Sequence, residues 1–200
     1  MKIPRVVSYL GWGKYLRYRT PANLDIPWGW KDPRNTFILP IWLDLFPDAK
    51  VIHIYRNGVD VANSLKVRAE KSLQISKALY PRRKQLYWIR PKKRGGFTDT
   101  LRYIDLEGGF SLWESYLHEA QSHVKALGTR AIELKYENFL VEPYVSLRQL
   151  RDFCGLGASN EQILEVAGRV KKGRAYAYRT RPELQAFAEQ VAGRMKVFGY

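Results

Sequence analysis

Ala49-Lys-Val-Ile-His-Ile-Tyr-Arg-Asn-Gly-Val-Asp-Val-Ala-Asn-Ser64 is the stretch that decides the fold. The apolar run Val51 to Tyr55 reads as a short buried strand. Arg56-Asn57-Gly58 ends it as a tight turn, and a helix opens at about Val59. A strand that feeds a helix through a glycine turn brings the helix's free N–H groups to the strand's C-terminal edge, a natural anion site. Arg56 sits at the strand tip, where its guanidinium can fork two N–H groups onto a phosphate. The bland alternative is an ion pair with Asp60 or Asp48. Ser64 follows Asp60 by one helical turn, so the two share a face. Alone, Ser64 reads as a helix serine bonding back to its own backbone.

Outward from this stretch, the pattern is strand and helix in alternation. Thr36 to Leu45 reads as a helix stopped by Pro47, and Val59 to about Ser76 as a helix. Phe110 to Leu127 is a helix with an apolar stripe, and Ala131 to Leu134 a second strand. Glu142 to Cys154, Asn160 to Val170 and Pro182 to Phe198 read as further helices. Ile26 to Lys31 reads as a short strand, whereas Met1 to Asn23 shows no clear period. Strands separated by long helical segments predict a parallel sheet covered by helices. Ala78 to Gly96 is basic and aromatic, and Pro81, Pro91 and Gly95-Gly96 predict loop-like pieces.

The totals bound the answer. Two hundred residues, 46% hydrophobic with six Trp, suit one domain, 1–200, with a real core. A formal charge of +15 attracts nucleotides, phosphorylated or sulfated sugars, nucleic acid or acidic membrane without choosing among them. The single cysteine, Cys154, excludes an internal disulfide, fits a cytoplasmic setting and reads as a buried inert thiol. The three histidines lack ligand spacing, so no metal is expected. No apolar run is long enough for a transmembrane segment.

The strand–Arg-x7-Ser stretch resembles the 3′-phosphate-binding motif of the sulfotransferases, which use the donor 3′-phosphoadenylyl sulfate (PAPS). Trp28-Gly-Trp-Lys-Asp-Pro-Arg34, Leu39-Pro-Ile-Trp-Leu-Asp-Leu-Phe-Pro-Asp48 and Leu134-Lys-Tyr-Glu-Asn-Phe-Leu-Val-Glu-Pro143 are similar to segments of bacterial members. The resemblance runs from about Trp28 to Leu156. It implies an α/β, P-loop-NTPase-like three-layer sandwich whose short parallel sheet is flanked by helices. It implies that Arg56 and Ser64 hold the 3′-phosphate of PAPS and that Lys31 stabilises the transferring sulfonate. Tyr136 then lies near the adenine end, and Lys172, Gly173 and Arg174, within Lys171-Lys-Gly-Arg174, match a loop that closes over the 3′-phosphate. The implied acceptor is a hydroxyl on a small molecule, lipid or carbohydrate, with no nucleic-acid partner.

Three departures qualify this picture. The histidine that animal members carry two positions after the lysine is Pro33 here, so no base is carried over. Asp32 is read either as the acceptor base or as a turn carboxylate, and His53 as a satisfied strand residue. The N-terminal strand and the phosphate loop for the 5′-phosphosulfate are not found: Gly11-Trp-Gly-Lys14 has the glycines and a lysine but no Ser/Thr run. A truncated chain, a degenerate one that binds nucleotide without transferring sulfonate, or one completed by a partner is the expectation, and the uncovered strands invite association into a homo-oligomer. The alternative reading is a non-catalytic basic module for nucleotide, glycan or nucleic acid, resting on the charge and on Tyr80 to Arg94.

Overall fold

The computed structural model describes residues 3–83, 102–171 and 173–200. They fall into two units, one ending at Asn35 and the other beginning at Thr36.

In the first unit, helix α1 (Ile3–Tyr18) is broken at Gly11, whose φ of 75° only glycine adopts without strain. Gly11 to Lys14, the nearest sequence match to a phosphate loop, therefore lies inside a kinked helix. A 3₁₀ turn follows (Pro21–Asn23), and the Tyr18 hydroxyl donates to Asp25 at 2.6 Å. Ile26 to Lys31 is not a strand. Among the described residues the sheet is made of two other strands, and Pro27 lacks one of the donors that pairing needs. Trp28 and Trp30 stack on each other at 5.6 Å instead.

In the second unit, α2 (Asn35–Leu45) carries Pro40 inside it and departs from helical geometry at Ile38. Proline cannot donate to the carbonyl four residues back, which is that of Thr36. His123 fills the vacancy: its Nε2 lies 2.9 Å from Thr36 O and 3.1 Å from Glu119 Oε1. Both partners accept, so Nε2 carries the proton.

Strands β1 (Val51–Tyr55) and β2 (Ala131–Lys135) pair in parallel, Val51 opposite Ala131 and Tyr55 opposite Lys135. Among the described residues they are the whole sheet. Mid-sheet, His53 Nδ1 meets Glu133 at 2.8 Å across the register, so His53 is satisfied locally. Ile52 and Ile54, which point to one face by the period of two, stay 42% and 56% exposed.

The connection from β1 to β2 runs through α3 (Gly58–Arg83) and α4 (Leu106–Leu127). Helix α3 continues through Pro81, where a loop was expected. Asp105 caps α4, accepting the Gly108 N–H at 2.7 Å. The two helices meet closely at Gly109, where a Cβ would stand 3.1 Å from the Ala62 backbone.

After β2 come α5 (Tyr136–Val141) and α6 (Pro143–Cys154), which ends at Gly155 in the left-handed region with φ 69°. Helix α7 (Asn160–Gly168) starts with a capping box between Ser159 and Gln162. A 3₁₀ turn (Ala177–Thr180) leads to α8 (Pro182–Gln190) and α9 (Ala192–Lys196), two short helices where one long one was expected. Cys154 is half-buried and free.

The core joins α3 and α4 to α8 and α9 through Val59, Phe110, Trp113, Leu184, Phe187 and Met195. Phe110 is fully buried and meets Trp113 at 5.0 Å and Phe187 at 5.9 Å. The C-terminal residues return to the sheet, where Lys135 Nζ lies 3.7 Å from the centre of the Tyr200 ring. No helix among the described residues is long and apolar enough to cross a membrane.

Candidate functional site

The site forms where the two parallel strands end. Arg56 follows β1, Tyr136 follows β2, and both tips are held from behind. Trp113, in the core, donates its indole N–H to the Arg56 carbonyl at 2.9 Å. The Asn57 side chain, 1% exposed, accepts from the N–H groups of Val59 at 3.0 Å and Asp60 at 3.3 Å. That is the N-cap of α3, and it turns the chain from strand to helix in two residues. Gly58 is required there: a Cβ would lie 2.7 Å from both Phe110 and Trp113.

The Arg56 guanidinium is partly covered, with a side-chain exposure of 29%. Nη2 donates to Asp60 Oδ2 at 2.8 Å and to the Arg174 carbonyl at 2.8 Å. The guanidinium carbon lies 5.2 Å from the centre of the Tyr136 ring. Nε is buried and has no hydrogen-bond partner among the described residues. The ion pair with Asp60, the bland alternative, is thus present, yet it occupies one edge of the fork and leaves a buried donor unmatched. An orphaned buried N–H is costly. An anion bonding Nε removes that cost.

Asp60 is buried to 5% exposure and faces more than Arg56. Its Oδ2 also accepts the Ala177 N–H at 3.1 Å, and its Oδ1 the Tyr178 N–H at 2.8 Å. Tyr176, just before them, is a non-glycine residue in the left-handed region, with φ 50°. Burial and the nearby Glu137 carboxylate hold its hydroxyl above the ordinary tyrosine range.

Of the residues singled out in the sequence, the structure gathers Arg56, Tyr136 and the Arg174 backbone around one guanidinium. Ser64 is exposed on α3, one turn beyond Asp60 on the same face. Gly173 is exposed next to Arg174. Lys172 lies outside the described residues, as does most of the basic stretch from Tyr80 to Arg94, from Lys84 onward. Lys31 is exposed in the first unit, and the turn carboxylate beside it is accounted for. Asp32 accepts the Arg34 N–H at 2.9 Å and its side chain through both oxygens. The Arg34 hydrogen bonds hold the Asp32 carboxyl down at about 2. Sequence reasoning missed Asp60 as a hub. Its only local signal was the i,i+4 spacing from Arg56.

Residues 8–160 match the family model described as the sulfotransferase family. The chain belongs to the sulfotransferase family. Two mycobacterial relatives, from Mycobacterium bovis and Mycobacterium tuberculosis, are each called omega-hydroxy-beta-dihydromenaquinone-9 sulfotransferase. Each is 30% identical over 129 residues, which is 64% of this chain and 28% of the relative. The chain thus spans little more than a quarter of those relatives. No solved structure matches it. Its α/β fold, with a short parallel two-stranded sheet between helices among the described residues, is consistent with the family.

Proposed function

We propose that the strand-end site binds the 3′-phosphate of PAPS and serves sulfuryl transfer to an acceptor hydroxyl. The observation that carries this is the unmatched, buried Nε of Arg56, set at a strand tip beside the start of α3. A phosphate oxygen supplies the missing acceptor beside the capped start of α3. Ser64 adds a hydroxyl one turn beyond Asp60, Arg174 stands at the guanidinium through its carbonyl, and Lys172 and Gly173 are assigned to the same phosphate. Tyr136 offers a flat face beside Arg56 for the nucleotide.

In the reaction, the acceptor oxygen attacks sulfur, the new O–S bond forms, and the bond from sulfur to the phosphate oxygen breaks. The departing phosphate takes the electron pair, and a base takes the acceptor proton. Lys31 is assigned the developing charge on the bridging oxygen. The reading extends to a three-layer, P-loop-like sandwich completed by a phosphate loop for the 5′ end. The names of the two mycobacterial relatives favour an acceptor hydroxyl of lipid type over a carbohydrate one.

The test is calorimetric titration with adenosine 3′,5′-bisphosphate, with adenosine 5′-monophosphate as control. The parent should prefer the bisphosphate. Arg56→Ala should lose that preference by roughly 10- to 150-fold, the worth of one charged hydrogen bond at about 1.5–3 kcal/mol. Equal affinity of parent and Arg56→Ala for the bisphosphate sinks the reading.

A further inference from the structure

We infer that Asp60 is the positioning residue of this site, holding the segment from Gly173 to Tyr178 against the tip of β1 so that an anion meets Arg56 and the loop together. The inference rests on the reading of Arg56 as the phosphate ligand and adds to it a residue that binds no phosphate itself.

A carboxylate beside an anion site is at first sight a liability, since it repels the ligand. Here its charge is already answered. Three donors converge on it: the Arg56 guanidinium at 2.8 Å and the N–H groups of Ala177 at 3.1 Å and Tyr178 at 2.8 Å. Two successive N–H groups after a left-handed residue form the concave nest in which proteins commonly seat anions. This nest is filled by the protein's own carboxylate. Tyr176 adopts φ 50° to shape it, a conformation that persists only when the surroundings hold it. The consequence falls next door, where the Arg174 carbonyl receives Arg56 Nη2 at 2.8 Å. Asp60 thus joins residues 117 and 118 positions away to the guanidinium that lies one helical turn before it.

The geometry also says why aspartate is needed. An asparagine has the same shape, but its amide nitrogen faces an N–H whichever way it is turned. A glutamate keeps the charge and carries it one methylene too far.

The experiment compares the parent with Asp60→Asn and Arg56→Ala in two readouts. One is the rate of native-state trypsin cleavage after Lys171 and Arg174, normalised to cleavage after Arg151 in α6. The other is the ratio of affinities for adenosine 3′,5′-bisphosphate and adenosine 5′-monophosphate. For Asp60→Asn we expect cleavage at the loop to rise about tenfold and the affinity ratio to fall about tenfold, the monophosphate affinity being unchanged. General loss of structure lowers both affinities and leaves their ratio alone. Unchanged loop cleavage in Asp60→Asn overturns the inference, as does an unchanged ratio where Arg56→Ala lowers it. If the ratio is indifferent to Arg56→Ala, the phosphate reading has failed and cleavage alone decides whether Asp60 anchors the loop. If Asp60→Asn does not fold, Asp60→Glu gives the same two readings.

Discussion

The Glu137 carboxylate accepts the backbone N–H of Asn57 at 2.9 Å, a bond between the first residue beyond Arg56 and the first beyond Tyr136. It ties the two strand ends together two residues past the sheet, where no ladder bond reaches. Glu137 is 1% exposed, and its other oxygen takes the Tyr200 hydroxyl at 2.8 Å. The C-terminal residue therefore reaches the site through a buried carboxylate. The Tyr200 ring also packs at 5.9 Å on Tyr55 of β1.

Tyr200→Phe should keep the ring contacts and remove one of these bonds. The loss expected is about 1–3 kcal/mol, because a buried carboxylate is left short of a donor. Burial, then the Glu137 bond, holds the Tyr200 hydroxyl far above its ordinary value near 10. Its raised folded-state pKa makes its contribution complete below the unfolded value and lost as pH rises beyond it. Thermal melts from about pH 8 to 11 should show the parent weakening above about 10, and Tyr200→Phe weakening less steeply. Parallel curves for the two proteins would show that this hydroxyl does not set the alkaline limb.

Gly58→Ala should destabilise by about 1–3 kcal/mol through overpacking. The added methyl meets Phe110 and Trp113 at 2.7 Å, and both rings are locked in the core. Trp113 also holds the Arg56 carbonyl, so nucleotide affinity should fall along with the melting temperature. A variant that melts with the parent would mean the aromatic pair gives way easily.

Asp32→Asn should leave the acid limb of the rate–pH profile where it is. A carboxyl held at about 2 by Arg34 is too weak a base to take an acceptor proton near neutrality. A large fall in kcat with a displaced limb would restore Asp32 as the base.

Ile52→Lys with Ile54→Lys should raise solubility and reduce concentration-dependent association in sedimentation velocity. Both side chains are exposed on one strand of a two-stranded sheet, the kind of surface that recruits other chains. Stability should change by less than about 0.5 kcal/mol, as for other exposed positions. A marked drop in melting temperature would reveal that the face is covered in solution.

The elements that carry the candidate site were legible because they are local. The strand Val51 to Tyr55, the turn and the helix after it follow from an apolar run, an Asn-Gly pair and a helical period within sixteen residues. The same holds for β2 and Tyr136. Expectations failed where an element depends on a neighbour. Ile26 to Lys31 has strand-like residues but forms no strand. Pro182 to Phe198 has one apolar pattern but a break near Val191.

The sequence by itself offered residues with the chemistry to meet an anion: Arg56 at a strand tip and, through the family resemblance, Ser64 and the Lys171–Arg174 run. Only the tertiary structure decided how they are presented. Asp60 seats the loop, Glu137 joins the strand ends, and Trp113 and Tyr200 brace both from the core. Each of these bonds closes across more than fifty positions of the chain, and no local periodicity encodes such a contact. It exists because burial leaves each carboxylate, carbonyl and N–H only the partners that the fold brings within reach.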